Sequence, residues 1–401
     1  METRNKKHWI IVALLCGLSA SSVGLCNNCV GIFYTPVSEA LGIYRGTFAM
    51  HATLSLLATA CTSLMMRKII NDCNYKKILI LGVAMSVLST IAMAYSSTVY
   101  MFYLLGIIRG IGSGLYATSP ITMIITNWFH DKHGTATSIA LSFSGLSGAI
   151  CSPVLANCIH IYGWKNAYLI MAAMILVFTL PALLYPFSVH PEDCGLLPYG
   201  YVEQEKKQVT QKVEFNYFQL GFLCMCIFTL LHTSITGISQ HLSGYGQSLG
   251  FSVTVGAALL SCSMVGNIVT KLIIGVLSDM VKPVKACFIM IVVNMCSLVG
   301  LLMFRSEVFL YAAALVYGSV YSVGAVGIPL LTKYFFGQEN YTKTYSVIGF
   351  LTSVGSASSL PLIGYVYDFT GAYSFVFVCA LGIHIFNMCL LTILIKRKQR
   401  S

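Results

Sequence analysis

Apolar residues fill this chain in runs of about twenty, separated by short polar interruptions, and that pattern sets the fold class. The runs cover residues 9–30, 46–66, 78–95, 100–127, 135–159 and 167–187, then 215–240, 251–277, 284–304, 308–332, 345–366 and 373–395. A bilayer core of about 30 Å needs roughly twenty apolar residues per helical span. Strands of a membrane barrel would be about ten residues long, with alternating polarity. The pattern therefore predicts an all-α membrane protein with twelve transmembrane helices. The longest polar stretch, His190 to Glu214, falls between the sixth and seventh runs. It predicts a six-helix bundle over residues 1–187, a cytoplasmic linker over 188–214 and a second bundle over 215–401.

Composition agrees with burial in lipid: 57% of residues are hydrophobic and 9% charged, against roughly a quarter charged in soluble domains. The mean hydropathy is +0.79. A formal net charge of +11 invites a nucleic-acid partner, but the positions of the basic residues give another meaning. With the N-terminus inside, nineteen of the 24 lysines and arginines fall on the cytoplasmic side. The positive-inside rule then places both termini and the 191–212 loop in the cytoplasm. The expectation is a multi-pass protein of the cell (cytoplasmic) membrane whose partners are the lipid bilayer and a small solute, with no nucleic acid. Arg4, Lys6 and Lys7 precede the first run as in a signal peptide, yet that run is too long and too many follow. Fifteen cysteines lie scattered in apolar runs, where a thiol acts as a small hydrophobe. Cys26-x-x-Cys29 stands without a second ligand pair, so no metal and no cofactor are expected.

The two halves repeat each other at a nearly constant offset. Asp72 matches Asp279 at 207 residues; Trp128-Phe129 matches Tyr334-Phe335, and Gly112 matches Gly318, at 206; Pro153 and Gly163 match Pro361 and Gly371 at 208. Parallel repeats of this kind predict a solute site between the halves near the midplane. Glycines concentrate where helices would approach closely: Arg109-Gly110-x-Gly112-x-Gly114 in the fourth run and Gly145-x-x-Gly148-x-x-x-x-Pro153 in the fifth. Small faces let helix backbones meet in lipid, and a proline bends the helix.

Short loops carry a further signature. Lys68-x-x-x-Asp72-x-x-x-Lys76-Lys77 follows the second run, and Gly275-x-x-Ser278-Asp279-x-x-Lys282 follows the eighth. Together they resemble the cytoplasmic loop motif of the major facilitator superfamily, in which an acid at a helix end and nearby cations latch the bundle. The first copy lacks the usual glycines. A narrower resemblance, spread over most of the chain, is to the branch of monocarboxylate and oxalate–formate transporters. It rests on Tyr34-Thr35-Pro36-x-x-Glu39-x-Leu41-Gly42-x-x-Arg45-Gly46 after the first run and Asn127-Trp128-Phe129 after the fourth. Further matches are Gly163-Trp164-x-x-Ala167-Tyr168, Pro191-Glu192-Asp193, His241-Leu242-x-x-Tyr245 and Gly364-x-x-x-Asp368-x-x-Gly371-x-Tyr373. The resemblance implies the major facilitator fold and transport of a small organic monocarboxylate by symport or exchange, with protons as a candidate coupling ion and a monomer as the working unit.

Ionisable groups at membrane depth are costly and tend to face a cavity. Lys271 lies in the eighth run, and in the resembled branch this position carries the arginine that binds the substrate carboxylate. It could instead snorkel toward the cytoplasm, being eight residues before Asp279. Asn267 is one turn earlier, where eukaryotic monocarboxylate carriers commonly hold a proton-coupling aspartate. Arg109 could meet solute or a helix carbonyl. His232, Thr236 and Gln240 form a polar stripe at four-residue spacing, although His232 alone also reads as a hydrogen-bonded packing residue. Asn27, Asn28, Tyr116, Tyr317 and Tyr321 are the remaining candidates. The oxalate branch carries a second basic residue in helix eleven, but no Lys, Arg or His lies between Tyr345 and Tyr367. A monovalent anion is therefore expected, with Lys271 or His232 as the titrating group if a proton is coupled.

An enzyme would need convergent catalytic groups, and no acidic residue lies well inside a run, so no enzymatic activity is expected. Two alternatives from other classes stay open: an exporter of drug-like or other hydrophobic molecules, and a transporter-like solute sensor.

Overall fold

The computed structural model describes residues 2–72, 75–129, 132–200 and 219–398. Lys206, Lys207 and Lys212 of the linker lie outside the described residues, as do the side chains of Asp72 and Asp279. Among the described residues the chain is helical almost throughout, and its one β-type contact is an isolated bridge between Phe129 and Tyr199.

Among the described residues ten helices are long and apolar enough to cross a membrane. One of these, Ile139–Leu184, is two rods, because Gly163 adopts φ 80° and ψ 163°, a turn conformation open mainly to glycine. The helix Arg45–Asp72 is 28 residues long but carries a polar face of His51, Ser55, Thr59 and Thr62. Dividing the one and adding the other gives twelve long helical segments. We label them α1 (Lys7–Leu41), α2 (Arg45–Asp72), α3 (Tyr75–Ala94), α4 (Val99–Ile125), α5 (133–162), α6 (164–184), α7 (Leu220–Ser248), α8 (Val253–Val281), α9 (Pro283–Met303), α10 (Glu307–Gly337), α11 (338–370) and α12 (Ser374–Lys398). Their flanks expose large apolar side chains, among them Leu88, Leu184, Val276 and Val308, which in a protein of this composition is the surface offered to lipid.

Several boundaries differ from the sequence reading. Helix α1 does not stop at Val30: it widens into a π-helical stretch over Ala20–Asn28, tightens over Val30–Phe33 and continues to Leu41. Tyr34 therefore belongs to a helix rather than to a loop. Likewise Gly275 and Asp279 sit inside α8, which runs to Val281, and a Cβ at Gly275 would meet open space. Gly275 is thus no close-approach glycine. Lys76 caps the end of α6, donating to the carbonyls of Ala182 (2.9 Å) and Tyr185 (2.8 Å). That is a favourable place for a cation, facing free carbonyls and the negative end of the helix dipole. Lys77 is exposed.

The glycines of the fourth and tenth spans mark close helix contacts, although Gly112 and Gly318 face non-equivalent neighbours. A Cβ on Gly112 would come 2.8 Å from the Gly82 carbonyl, and one on Gly114 2.8 Å from Thr62 Cβ, so α4 lies tight against α3 and α2. On the other side a Cβ on Gly318 would overlap Asn267 and Gly266, joining α10 to α8. Threonines mirror this: Thr59 donates to the Gly110 carbonyl at 2.9 Å and Thr270 to the Gly318 carbonyl at 3.2 Å. Gly163 and Gly371, which the offset pairs, both have positive φ. Pro153 and Pro361 sit inside α5 and α11.

Three hydrophobic cores are each built from residues on one side of the linker. A fourth spans both sides, adding Ala257, Leu260, Met264 and Leu360 to residues of α1, α2, α3, α4, α5 and α6. The start of the linker is docked on the first helices. Trp128 Nε1 donates to the Ser188 carbonyl (3.0 Å), Asn127 Nδ2 to Val189 (3.2 Å), and the Tyr199 amide to Trp128 (2.8 Å).

Candidate functional site

A cavity of about 160 Å³ lies where α1 and α2 face α7, α10 and α11. Five sequence candidates reach it: Asn27, Asn28, Thr236, Gln240 and Tyr321. Their side chains are held by the helices that carry them. Asn28 Nδ2 donates to the Ser144 carbonyl of α5 at 3.1 Å, and Asn27 Nδ2 to the Ser22 carbonyl at 3.4 Å. Gln240 Oε1 accepts the Gly31 amide at 3.0 Å. Thr236 bonds Ser356 across α7 and α11 at 3.1 Å, and Tyr321 bonds Ser239. The π-helical widening of α1 ends at Asn28, and such local departures from α geometry re-aim side chains at functional sites.

The sequence reading missed two wall residues. Tyr34 lines the cavity, is buried, and its hydroxyl has no partner among the described residues. Ser356 lines it from α11. Tyr34 had a signal in its place within an ordered motif, but the motif read as a loop. The wall carries amides, hydroxyls, an aromatic ring pair and apolar groups, and no charged side chain.

The other candidates lie elsewhere. Arg109 is fully buried behind the wall, among Cys26, Tyr34, His51, Tyr116 and Tyr168, all of which feel its charge. One guanidinium nitrogen lies 3.6 Å from Met93 Sδ, while Nε and the other terminal nitrogen have no partner among the described residues. Tyr116 bonds Ser21 at 3.3 Å, and Tyr317 donates to the Ile235 carbonyl. His232 donates to the Val320 carbonyl at 3.0 Å, so the polar stripe of α7 divides: Thr236 and Gln240 reach the cavity and His232 does not. Asn267 is buried against Gly318, and its side-chain amide oxygen has no partner among the described residues.

Lys271 is half-buried and makes no hydrogen bond or ion pair to any described residue. It follows Met264 and Ile268 at steps of seven and three residues, which puts all three on one helical face. Met264 and Ile268 meet the glycine face of α5, a Cβ on Gly145 falling 2.9 Å from Ile268 and one on Gly148 3.1 Å from Met264. By that spacing Lys271 lies about 20° from Met264 and about 40° from Asn267 around α8, at the edge of the α5–α8 seam and one turn nearer the end that carries both termini. It does not line the cavity.

At the opposite end the two halves are bonded together. Asp368 accepts the Gly46 amide at 2.9 Å, Thr47 bonds the Tyr365 hydroxyl at 3.2 Å, and Thr53 donates to the Ala357 carbonyl at 2.7 Å. Arg45 lies 4.4 Å over the Tyr367 ring, donates to the Tyr373 hydroxyl at 3.5 Å, and pairs with Glu39 at 3.7 Å. A Cβ on Gly46 would come 2.8 Å from the Pro361 carbonyl. Helices α2 and α11 therefore touch backbone to backbone here, and the cavity is sealed from this side.

Comparison with known proteins accords with this architecture. Monocarboxylate transporter 12-B of Danio rerio is 26% identical over 400 residues, covering 92% of this chain and 83% of its own. Monocarboxylate transporter 12 of Homo sapiens is 25% identical over 426 residues, covering 98% and 82%. Among solved structures, the nucleoside transporter NupG superposes with a TM-score of 0.74 at 14% identity, covering 96% of this chain and 99% of its own. A bacterial homologue of the human lysosomal transporter Spinster, in an inward-facing and occupied conformation, gives 0.71 at 11% identity, covering 97% of each chain. Those two likenesses concern the fold. The model of the Major Facilitator Superfamily matches residues 16–359 and 221–401. With two repeated sets of membrane helices around a shared cavity, this chain belongs to the Major Facilitator Superfamily and is a transporter.

Proposed function

We propose that the protein carries a small organic monocarboxylate across the cell membrane by alternating access, working as a monomer with both termini in the cytoplasm. The two six-helix units, 1–187 and 215–401, rock about the cavity, and the bonded α2–α11 end is its outer end. The observation that carries this reading is the small polar cavity shared by both halves beneath the sealed α2–α11 end. Asn27, Asn28, Gln240, Tyr34 and Tyr321 would hold the polar body of the solute. Lys271 supplies the positive charge from the seam below, where an ammonium at membrane depth without a partner has free-energy reason to meet an anion. The relatives named monocarboxylate transporters support the same class.

Cavity size weighs against the exporter reading. About 160 Å³ falls below the roughly 300–1,000 Å³ of sites that bury drug-sized ligands. The uncharged wall does favour one second reading, a neutral polar solute of the same size. A thermal-shift screen of purified protein with small monocarboxylates, dicarboxylates of similar size and neutral polyols separates these. Stabilisation by the monocarboxylates, lost in Lys271→Gln, is the expected result; a preference for dianions or for polyols overturns the assignment.

A further inference from the structure

Helices α7, α9, α10 and α12 enclose a polar cluster apart from the cavity. His232, Asn294, His384 and Asn387 are each 0% exposed, and the two imidazole rings lie 5.7 Å apart between centroids. The hydrogen bonds fix the tautomers. Asn294 Nδ2 donates to the Tyr317 carbonyl at 2.9 Å, so its Oδ1 is the atom facing His384 Nε2 at 2.8 Å, and that nitrogen carries the hydrogen. His232 Nε2 faces the Val320 carbonyl at 3.0 Å and must likewise donate. Both rings then present a bare, basic Nδ1, and neither has a partner among the described residues. Both amide atoms of Asn387 and the Thr229 hydroxyl are also unpartnered. Buried polar atoms are almost always satisfied, so these call for an occupant that both donates and accepts hydrogen bonds, as water does.

We propose that this cluster is a proton-binding site, in which water carries a proton to the Nδ1 lone pair of His384 or His232 and the two rings share it. The proposal rests on the reading of the chain as a coupled transporter. The proton leaves a hydronium oxygen, bonds to imidazole nitrogen, and returns to water on the other side, with no other bond made or broken. Sequence supplies the need: of the thirteen acidic residues none lies well inside a span, so a coupled proton must ride on another base. Among the described residues no Lys, Arg, Asp or Glu side chain bonds to His232, Asn294 or His384. Tyr317 of α10 is the other titratable group at the pocket, and its hydroxyl is committed to Ile235. A route exists. Thr236, one turn beyond His232, and Tyr321, next to Val320, both line the cavity.

The probe is the proton alone. Full-length protein labelled with ¹⁵N-histidine in lipid nanodiscs is titrated by NMR from pH 8 to pH 5, with His232→Gln and His384→Gln to assign the rings. The expected result is a shared titration within that range, with loss of either ring moving the midpoint of the other by about one pH unit or more. Both rings remaining neutral single tautomers throughout would overturn the proposal, and the wild-type spectrum alone can deliver that result. A second arm compares labelled lactate uptake driven by a pH gradient with lactate exchange in proteoliposomes. The ratio of driven uptake to exchange should fall at least about tenfold in His384→Gln, and an unchanged ratio contradicts a coupling role. If wild type moves no lactate, the monocarboxylate reading falls while the titration still decides the proton site.

Discussion

Replacing Asp368 by alanine removes the one carboxylate that bonds across the sealed end. Its Oδ2 accepts the Gly46 amide at 2.9 Å, and Gly46 is buried. The variant leaves that N–H without its partner, at a cost of about 1–3 kcal/mol. Because α2 and α11 must separate at this end for the cavity to open outward, the cost falls on the sealed state alone. A difference of about 1–3 kcal/mol shifts a two-state equilibrium roughly 5- to 150-fold. The native thiols report it without engineering: Cys26 lines the cavity, while Cys29, one turn on, is buried outside it. Membrane-impermeant alkylation from the side opposite the termini, read peptide by peptide in a mass spectrometer, should label Cys26 faster in Asp368→Ala by that factor and leave Cys29 unchanged. Equal Cys26 labelling in both proteins would refute the reasoning that Asp368 helps hold this gate shut.

Three further perturbations test other parts of the account. Lys271→Gln should abolish monocarboxylate uptake with insertion and thermal stability intact, whereas Lys271→Arg should keep part of it, since charge survives but geometry differs; full uptake by the glutamine variant would remove Lys271 from the site. Gly148→Val should lower stability by about 1–3 kcal/mol through overpacking against Met264 and Asn28, while Gly148→Ala should be milder because the Met264 side chain can give way; denaturation midpoints by fluorescence would contradict this if the two variants matched. Arg109→Met should keep or raise the unfolding temperature, because it removes buried donors that lack partners, and a large drop would mean that the guanidinium is satisfied by water or solute.

Much of the fold could be read from the residues, because lipid imposes a length on each span and a sign on each loop. A trace of the repeat could be read as well, since Gly163 and Gly371 each need positive φ. The site was legible only in part. Spacing by four residues drifts about 40° per step around an α-helix, so His232, Thr236 and Gln240 look like one stripe yet only the last two reach the cavity. Helix α1 was misjudged past Val30 because polar, glycine-bearing sequence around Asn27 and Tyr34 imitates a loop, while the π-helical stretch keeps it helical. His384 was passed over for a different reason. A lone histidine in an apolar run carries no pattern, and its partner lies 152 residues away on another helix.

The central claim, that a small monocarboxylate crosses through the shared cavity, is tested most directly by flux. Purified protein in proteoliposomes, loaded with unlabelled lactate and diluted into a trace of labelled lactate, should accumulate label above equilibrium by counterflow, and Gln240→Leu, which empties the amide from the cavity wall and frees the Gly31 contact, should reduce it strongly. Binding of lactate without any counterflow would contradict transport and make the chain a sensor, and undiminished counterflow in Gln240→Leu would place the solute path outside this cavity.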